Sequence, residues 1–344
     1  MTRWAVVLAG GVGSRFWPLS TPQRPKQLLP LAGDRPLLVD ALDRLAPLVP
    51  GERTLILTNS TLADRIGDVA AGVPTDNIIA EPRPIGTAGA LAWAARTIAE
   101  RDGRGAVMIS VHADWAVSQP QAFRDALSHA ADAAAAKHAL VTVGIVPTRP
   151  DPGFGYIEPD GEVAPGVRRV QRFVEKPDRA RAEQMCRDGF LWNSGIFVWR
   201  VGDFLDEIHA HTPEVATALD AARGDIDRFF ETVTPISVDV GVLERSDRVL
   251  VLPGDFGWDD VGTWAALRRV RALDADGNAV SGKVVTRDAH DNVVQAEGNE
   301  VVLYGVDGLV VVTRDGLTLV TTVDRSADLK QLIESLPAAL RERP

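Results

Sequence analysis

The chain has 344 residues, 45% of them hydrophobic, and 37 basic against 47 acidic side chains give a net charge of −10. Length alone suggests about two domains, with enough apolar material to build a core without disulfides or structural metal. The one cysteine, Cys186, excludes an internal bridge and Cys-x-x-Cys chemistry and fits a reducing, cytoplasmic compartment. The acidic balance disfavours nucleic-acid and membrane-surface partners, and no apolar stretch reaches the roughly 20 residues of a membrane span.

In chain order, Trp4 to Ala9 is an apolar run that ends in Gly10-Gly11-Val12-Gly13, the pattern of a buried parallel strand followed by a tight loop. Thr54 to Leu57, Ala106 to Ser110 and Leu140 to Ile145 are runs of the same kind. Helical stretches lie between them, at Leu37 to Leu45, Ala88 to Ile98 and Ala122 to Ala136. This alternation predicts an open, mostly parallel α/β sheet with helices on both faces.

From Gly282 the pieces become short and β-rich: Lys283 to Thr286, Asn292 to Gln295, Glu300 to Leu303, Leu309 to Val312 and Leu317 to Thr321. Turn residues separate them, so a small meander or the rungs of a β-helix is expected. Ser326 is placed to cap a last helix with Leu329, Leu332, Ile333 and Leu336 on one face. The expected division is 1–275 and 276–344.

Chemistry concentrates first in Leu8-Ala9-Gly10-Gly11-Val12-Gly13-Ser14-Arg15, followed by Pro25-Lys26. Glycines after a first strand let backbone amides approach a phosphate. The spacing fits neither the dehydrogenase fingerprint nor the ATPase loop. Arg15 and Lys26 place two fixed positive charges beside the loop, which suits a triphosphate with a pyrophosphate leaving group.

These residues resemble the signature of the nucleotidyltransferases that make nucleotide sugars from a sugar 1-phosphate and a nucleoside triphosphate. Phe173-Val-Glu-Lys-Pro177, Trp192-Asn-Ser-Gly-Ile-Phe197, Gly257-Trp-Asp-Asp-Val-Gly-Thr-Trp264 and Pro152-Gly-Phe-Gly-Tyr-Ile157 are similar to further motifs of the mannose-1-phosphate guanylyltransferase branch. The resemblance implies a Rossmann-like fold, a small left-handed β-helix-like carboxy-terminal domain and a magnesium-dependent transfer of GMP from GTP to mannose 1-phosphate. It implies Arg15 and Lys26 as catalytic. Leu8, Ala9, Gly10, Gly11, Gly13, Ser14, Glu81 and Thr87 would bind the nucleotide. Gly155, Tyr156, Glu175, Lys176 and Asn193 would bind the sugar phosphate, and Asp114 and Asp260 the Mg²⁺, with Asp259 in support. Bottom-up chemistry agrees, because phosphoryl-type transfer needs positioning and charge neutralisation, and hard cations want carboxylates. A homodimer, to which the tail contributes, is also expected.

Two positions depart from the family pattern. His112-Ala-Asp114-Trp115 lacks a histidine after the aspartate, and Ile85-Gly86-Thr87-Ala88 stands where the branch carries Arg-Asn-Thr-Ala. Alternatives are another sugar 1-phosphate, such as a heptose or glucose derivative, another triphosphate, or a catalytically silent regulatory subunit that binds a nucleotide sugar. Joint retention of Arg15, Lys26, Asp114, Lys176 and Asp260 argues against silence.

Overall fold

The computed structural model describes residues 1–11 and 13–341. They form two compact units, each assembled from separate stretches of chain: Met1–Ala9, Asp43–His112 and Gln119–Phe256 in one, and Gly10–Leu42, Ala113–Ser118 and Gly257–Pro344 in the other.

The first unit is built on a nine-stranded sheet. Its strands are β1 (Arg3–Leu8), β2 (Thr54–Asn59), β3 (Ile78–Glu81), β4 (Val107–His112), β5 (Leu140–Ile145), β6 (Tyr156–Ala164), β7 (Val167–Val174), β8 (Leu191–Arg200) and β9 (Val249–Gly254). They lie in the order β3-β2-β1-β4-β8-β5-β9-β7-β6. The first four are parallel, with Ala5 level with Thr54 on one side and Ile109 on the other. β8 runs antiparallel between β4 and β5. β9 is parallel to β5, and the β6–β7 hairpin closes that edge.

The parallel strands read as unbroken apolar runs because helices cover them. The helix Gly86–Asp102 supplies Leu91, Ala94, Ala95 and Ile98 to the core behind Trp4, Val6 and Leu8. Its alanines allow close approach to the sheet. Helix Pro120–Lys137 starts with proline in the first turn and stops at His138, whose φ of 51° leaves the helix. No helix among the described residues is long and apolar enough to cross a membrane.

In the second unit the expected β-rich pieces form parallel rungs. Ala279–Ser281, Val293–Ala296 and Leu309–Arg314 stack in one ladder, Val284–His290 and Val301–Asp307 in another, and Leu317–Thr322 closes the first as an antiparallel strand. Two fully buried asparagines stitch successive rungs: Asn278 Oδ1 accepts from the backbone and side-chain amides of Asn292, and Asn292 Oδ1 accepts from Leu309 N. The core joins Phe16, Trp17, Leu19, Leu29 and Leu31 to Val261, Trp264, Leu267, Ala279, Val293, Val310 and Val312. Arg24 pairs with Glu297 through two bonds of 2.8 and 3.0 Å, and Arg314 donates to Leu19 O. The segment between Gly10 and Leu42 is therefore held by the rungs.

The expected cap at Ser326 does not form. Ser326 sits inside a short 3₁₀ segment, Asp324–Asp328, and its hydroxyl donates back to Val323 O. The helix begins at Leu329 and ends at Ser335. Leu336 falls beyond its end, although it still packs on the core with Ile333, and Leu332 is 38% exposed.

Candidate active site

In the second unit the glycine loop is shaped around a lysine. Gly13 has φ 68°, and a Cβ there would collide with the side chain of Lys26. Both facts demand glycine. Gly13 O accepts from Ser20 Oγ at 2.6 Å and from Phe16 N at 3.1 Å, which fixes the loop to the buried Phe16–Leu19 turn. Gly10 and Gly11 are exposed, and a Cβ on either would meet nothing within 4 Å. Arg15 is exposed beside them, and Ser14 likewise.

Lys26 is the buried charge of this group, its side chain 7% exposed. Its Nζ donates to Asp114 Oδ2 at 3.0 Å and to the carbonyl oxygen of Asp260 at 2.6 Å. A short antiparallel ribbon sets this up, pairing Ala116 with Asp259 and Val117 with Trp258. That register brings the residues before Ala116 opposite those after Asp259, so Asp114 and Asp260 arrive at one end. Trp115 and Trp258 pack edge-to-face across it, with ring centroids 5.7 Å apart. Asp259 faces elsewhere: it takes two bonds from Arg269, at 2.6 and 3.1 Å, and one from Val261 N. Val261 is buried with φ 47°, a conformation costly for a β-branched residue. A Cβ on Gly262 would come within 2.5 Å of Asp260 Oδ2. Strain and close approach thus surround the Asp260 carboxylate.

In the first unit, Leu8 and Ala9 end β1. Ala9 N donates to Leu57 O at 2.8 Å, and Ala9 O accepts from Thr58 Oγ1 at 3.1 Å, so the Ala9 backbone is committed to the sheet. Glu81 ends β3, where burial pushes its carboxyl up to about 7. Thr87 Oγ1 accepts from Val238 N at 2.9 Å. Ile85 is fully buried, and a Cβ on Gly86 (φ 76°) would collide with Ile236 O. The place of the family's Arg-Asn pair is therefore packed shut.

The remaining candidates gather at β6, β7 and β8. Gly155 O accepts from Asn193 N at 2.8 Å, and a Cβ on Gly155 would lie 2.8 Å from Glu175 Oε2. Glu175 and Lys176 form an exposed ion pair at 2.9 Å, with Lys176 at φ 43°. Tyr156 is different: its ring is fully buried, and its hydroxyl accepts from Asp151 N and donates to Asp151 O. Desolvation pushes that phenol up.

Asp239 and Glu244 belong to this group, and the sequence reading misses both. Asn193 Nδ2 donates to Asp239 Oδ1 at 2.7 Å. Burial raises both acids, more so because Asp239 feels Glu175, and Glu244 feels Asp239 and Glu175. The signal available in the sequence is a lone acid among apolar residues, Val238-Asp239-Val240.

Residues 4–277 match the nucleotidyl transferase family. The chain belongs to that family. Among curated relatives of this nucleotidyltransferase, the alginate biosynthesis protein AlgA of Pseudomonas aeruginosa is 36% identical over 97% of this chain and 72% of its own length. The mannose-1-phosphate guanylyltransferase of Sinorhizobium fredii is 32% identical over 96% of this chain and 67% of its own. A solved structure named mannose-1-phosphate geranyltransferase, from Thermus thermophilus, superposes with a TM-score of 0.90 at 34% identity, covering 97% of this chain and 99% of that one.

Proposed function

We propose that the chain is a mannose-1-phosphate guanylyltransferase, moving GMP from GTP to α-D-mannose 1-phosphate with release of pyrophosphate. The observation that carries this reading is the buried Lys26 ammonium, held between Asp114 and the Asp260 carbonyl under the Gly13 turn. The names of the Sinorhizobium relative and the Thermus structure support the sugar.

In this reading Lys26 and Arg15 offset charge building on the leaving pyrophosphate, while Lys176 holds the phosphate of the sugar. A phosphate oxygen of the sugar attacks the α-phosphorus, the bond to pyrophosphate breaks, and no covalent enzyme intermediate is needed. Glu175 and Asn193 supply an acceptor and an amide for sugar hydroxyls. The carboxylates of Asp114 and Asp260 fit a hard cation that takes its other ligands from phosphate oxygens. Bound there, Mg²⁺ would neutralise triphosphate charge. A homodimer and a reducing, cytoplasmic setting go with this reading, and light scattering at micromolar concentration checks the first.

A matrix of GTP, ATP, UTP and dTTP against mannose, glucose and heptose 1-phosphates, read by pyrophosphate release, tests the assignment. Highest kcat/KM for GTP with mannose 1-phosphate is expected. A better pair elsewhere in the matrix replaces the substrates, and binding of a nucleotide sugar without any turnover replaces the enzyme by a regulatory subunit. One observation favours a looser choice of base: Ile85 and Gly86 leave no polar side chain where the family places Arg-Asn.

A further inference from the structure

Asn193 lies where β8 breaks register. β5 and β8 pair regularly as far as Val143 opposite Ile196, then skip so that Gly144 faces Asn193. Ser194 and Gly195 form the irregularity: Ser194 Oγ donates to Val143 O, and Gly195 has φ 73°. Such bulges re-aim the side chain beside them.

The amide of Asn193 then has two partners of opposite character. Its Oδ1 accepts from Gly195 N at 3.3 Å, and its Nδ2 donates to Asp239 Oδ1 at 2.7 Å. A carboxylate only accepts and a backbone N–H only donates, so the reversed amide would set oxygen against carboxylate and nitrogen against N–H. One N–H and one oxygen lone pair remain on the amide after these bonds.

Asp239 is itself fixed. It opens a single π-helical turn, Asp239–Leu243, whose carbonyl at Asp239 accepts from Glu244 N, and Gly241 O accepts from the buried Thr212 hydroxyl. π-Turns recur at functional sites because they displace one residue from the helical register.

We infer that Asp239 is a positioning residue for sugar recognition, which locks the Asn193 amide in one orientation so that its remaining N–H and lone pair meet one hydroxyl of the sugar ring. This rests on the sugar 1-phosphate reading above and adds to it a residue from a separate segment of chain. The neighbourhood supports it chemically. Glu175, Asp239 and Glu244 interact with one another, and their carboxylates offer acceptors to hydroxyl donors.

The test is steady-state kinetics of Asp239→Ala and Asp239→Asn with mannose 1-phosphate and GTP, alongside thermal melting. Asp239→Ala should raise KM for mannose 1-phosphate about 10- to 100-fold and leave KM for GTP within about twofold. Asp239→Asn keeps an acceptor oxygen and the shape, and should recover most of the loss even if the alanine variant folds poorly. Among the monodeoxy mannose 1-phosphates, the one lacking the hydroxyl facing Asn193 should be indifferent to Asp239→Ala, since the two losses are one interaction. An unchanged KM, an equal rise for both substrates, or equal sensitivity of every deoxy sugar would overturn the inference while wild-type turnover leaves the function standing. A wild-type chain inert with every sugar 1-phosphate would overturn the function and the inference together.

Discussion

The ammonium of Lys26 and the carboxylate of Asp114 lie 3.0 Å apart, the lysine side chain 7% exposed and the aspartate 35%. A buried cation thus depends on a half-open acid that the proposed chemistry also asks to bind metal. Asp114→Ala should cost about 1–3 kcal/mol of stability, since the buried ammonium loses its carboxylate and, among the described residues, keeps the Asp260 carbonyl. It should also lower turnover at least ~100-fold. Chemical denaturation and pyrophosphate release measure the two, and near-full turnover of the variant, or of the parent in EDTA, would refute a metal at Asp114.

Gly13→Ala tests the loop geometry. Alanine at φ 68°, pressed on the Lys26 side chain, should destabilise the chain by about 1–3 kcal/mol and displace the lysine. Gly10→Ala, facing open space in the free protein, should leave stability unchanged while weakening triphosphate binding. Equal melting temperatures for Gly13→Ala and the parent would count against the strained turn.

Glu81 predicts a pH effect with a definite sign. Its folded value of about 7 lies above the ordinary 4.5, so the folded state keeps a proton that the unfolded chain releases in between. The proton-linked stability is complete below pH 4.5, falls as pH rises, and is lost above about 7, with a total of about 3 kcal/mol. Glu81→Gln should therefore stabilise more at pH 8 than at pH 5. An identical shift in melting temperature at both pH values would refute the buried, titrating carboxyl.

Base selectivity should be modest. With Ile85 buried and Gly86 pressed on Ile236, GTP should be favoured over ATP by about 10- to 100-fold in kcat/KM, or about 1.4–2.7 kcal/mol. Competition assays with both triphosphates decide it, and parity would leave the guanylyl assignment without support.

Asn292 links three rungs through Asn278 Oδ1, Val306 O and Leu309 N. Asn292→Ala strands Val306 O and Leu309 N, while Asn278 Oδ1 keeps the Asn292 backbone amide, and should cost about 2–4 kcal/mol. Asn292→Asp tests the donors: it keeps the acceptor for Leu309 but loses the bond to Val306. A loss below about 0.5 kcal/mol in the alanine variant would show that the rungs hold without the ladder.

The parallel strands and their helices were legible because burial on both faces writes itself as continuous apolar runs, as in Trp4 to Ala9. The helix Leu37–Leu45 has the bounds its pattern predicts. β8 was not legible as a reversed strand, since Ile196 to Val198 would look the same in either direction. Gly13, Lys26, Asp114 and Asp260 stood out through spacing and resemblance, yet the ion pair between residues 26 and 114 has no local trace. Asp239 escaped because its partner Asn193 is 46 residues away. Ser326 misled for the opposite reason: a good local cap signal lost to a 3₁₀ turn that its hydroxyl stabilises instead.

The rungs that hold residues 10–42 come from a stretch that begins at Ala279. During synthesis, Phe16, Trp17, Leu19 and Leu29 leave the ribosome on the order of tens of seconds before Val293, Val310 and Val312 exist to cover them. The aromatic segment must wait, sticky and incomplete, while strands β2 to β9 form. A premature stop before the rungs would thus leave the glycine loop without its scaffold, and such a fragment should be a chaperone client rather than a half-active enzyme.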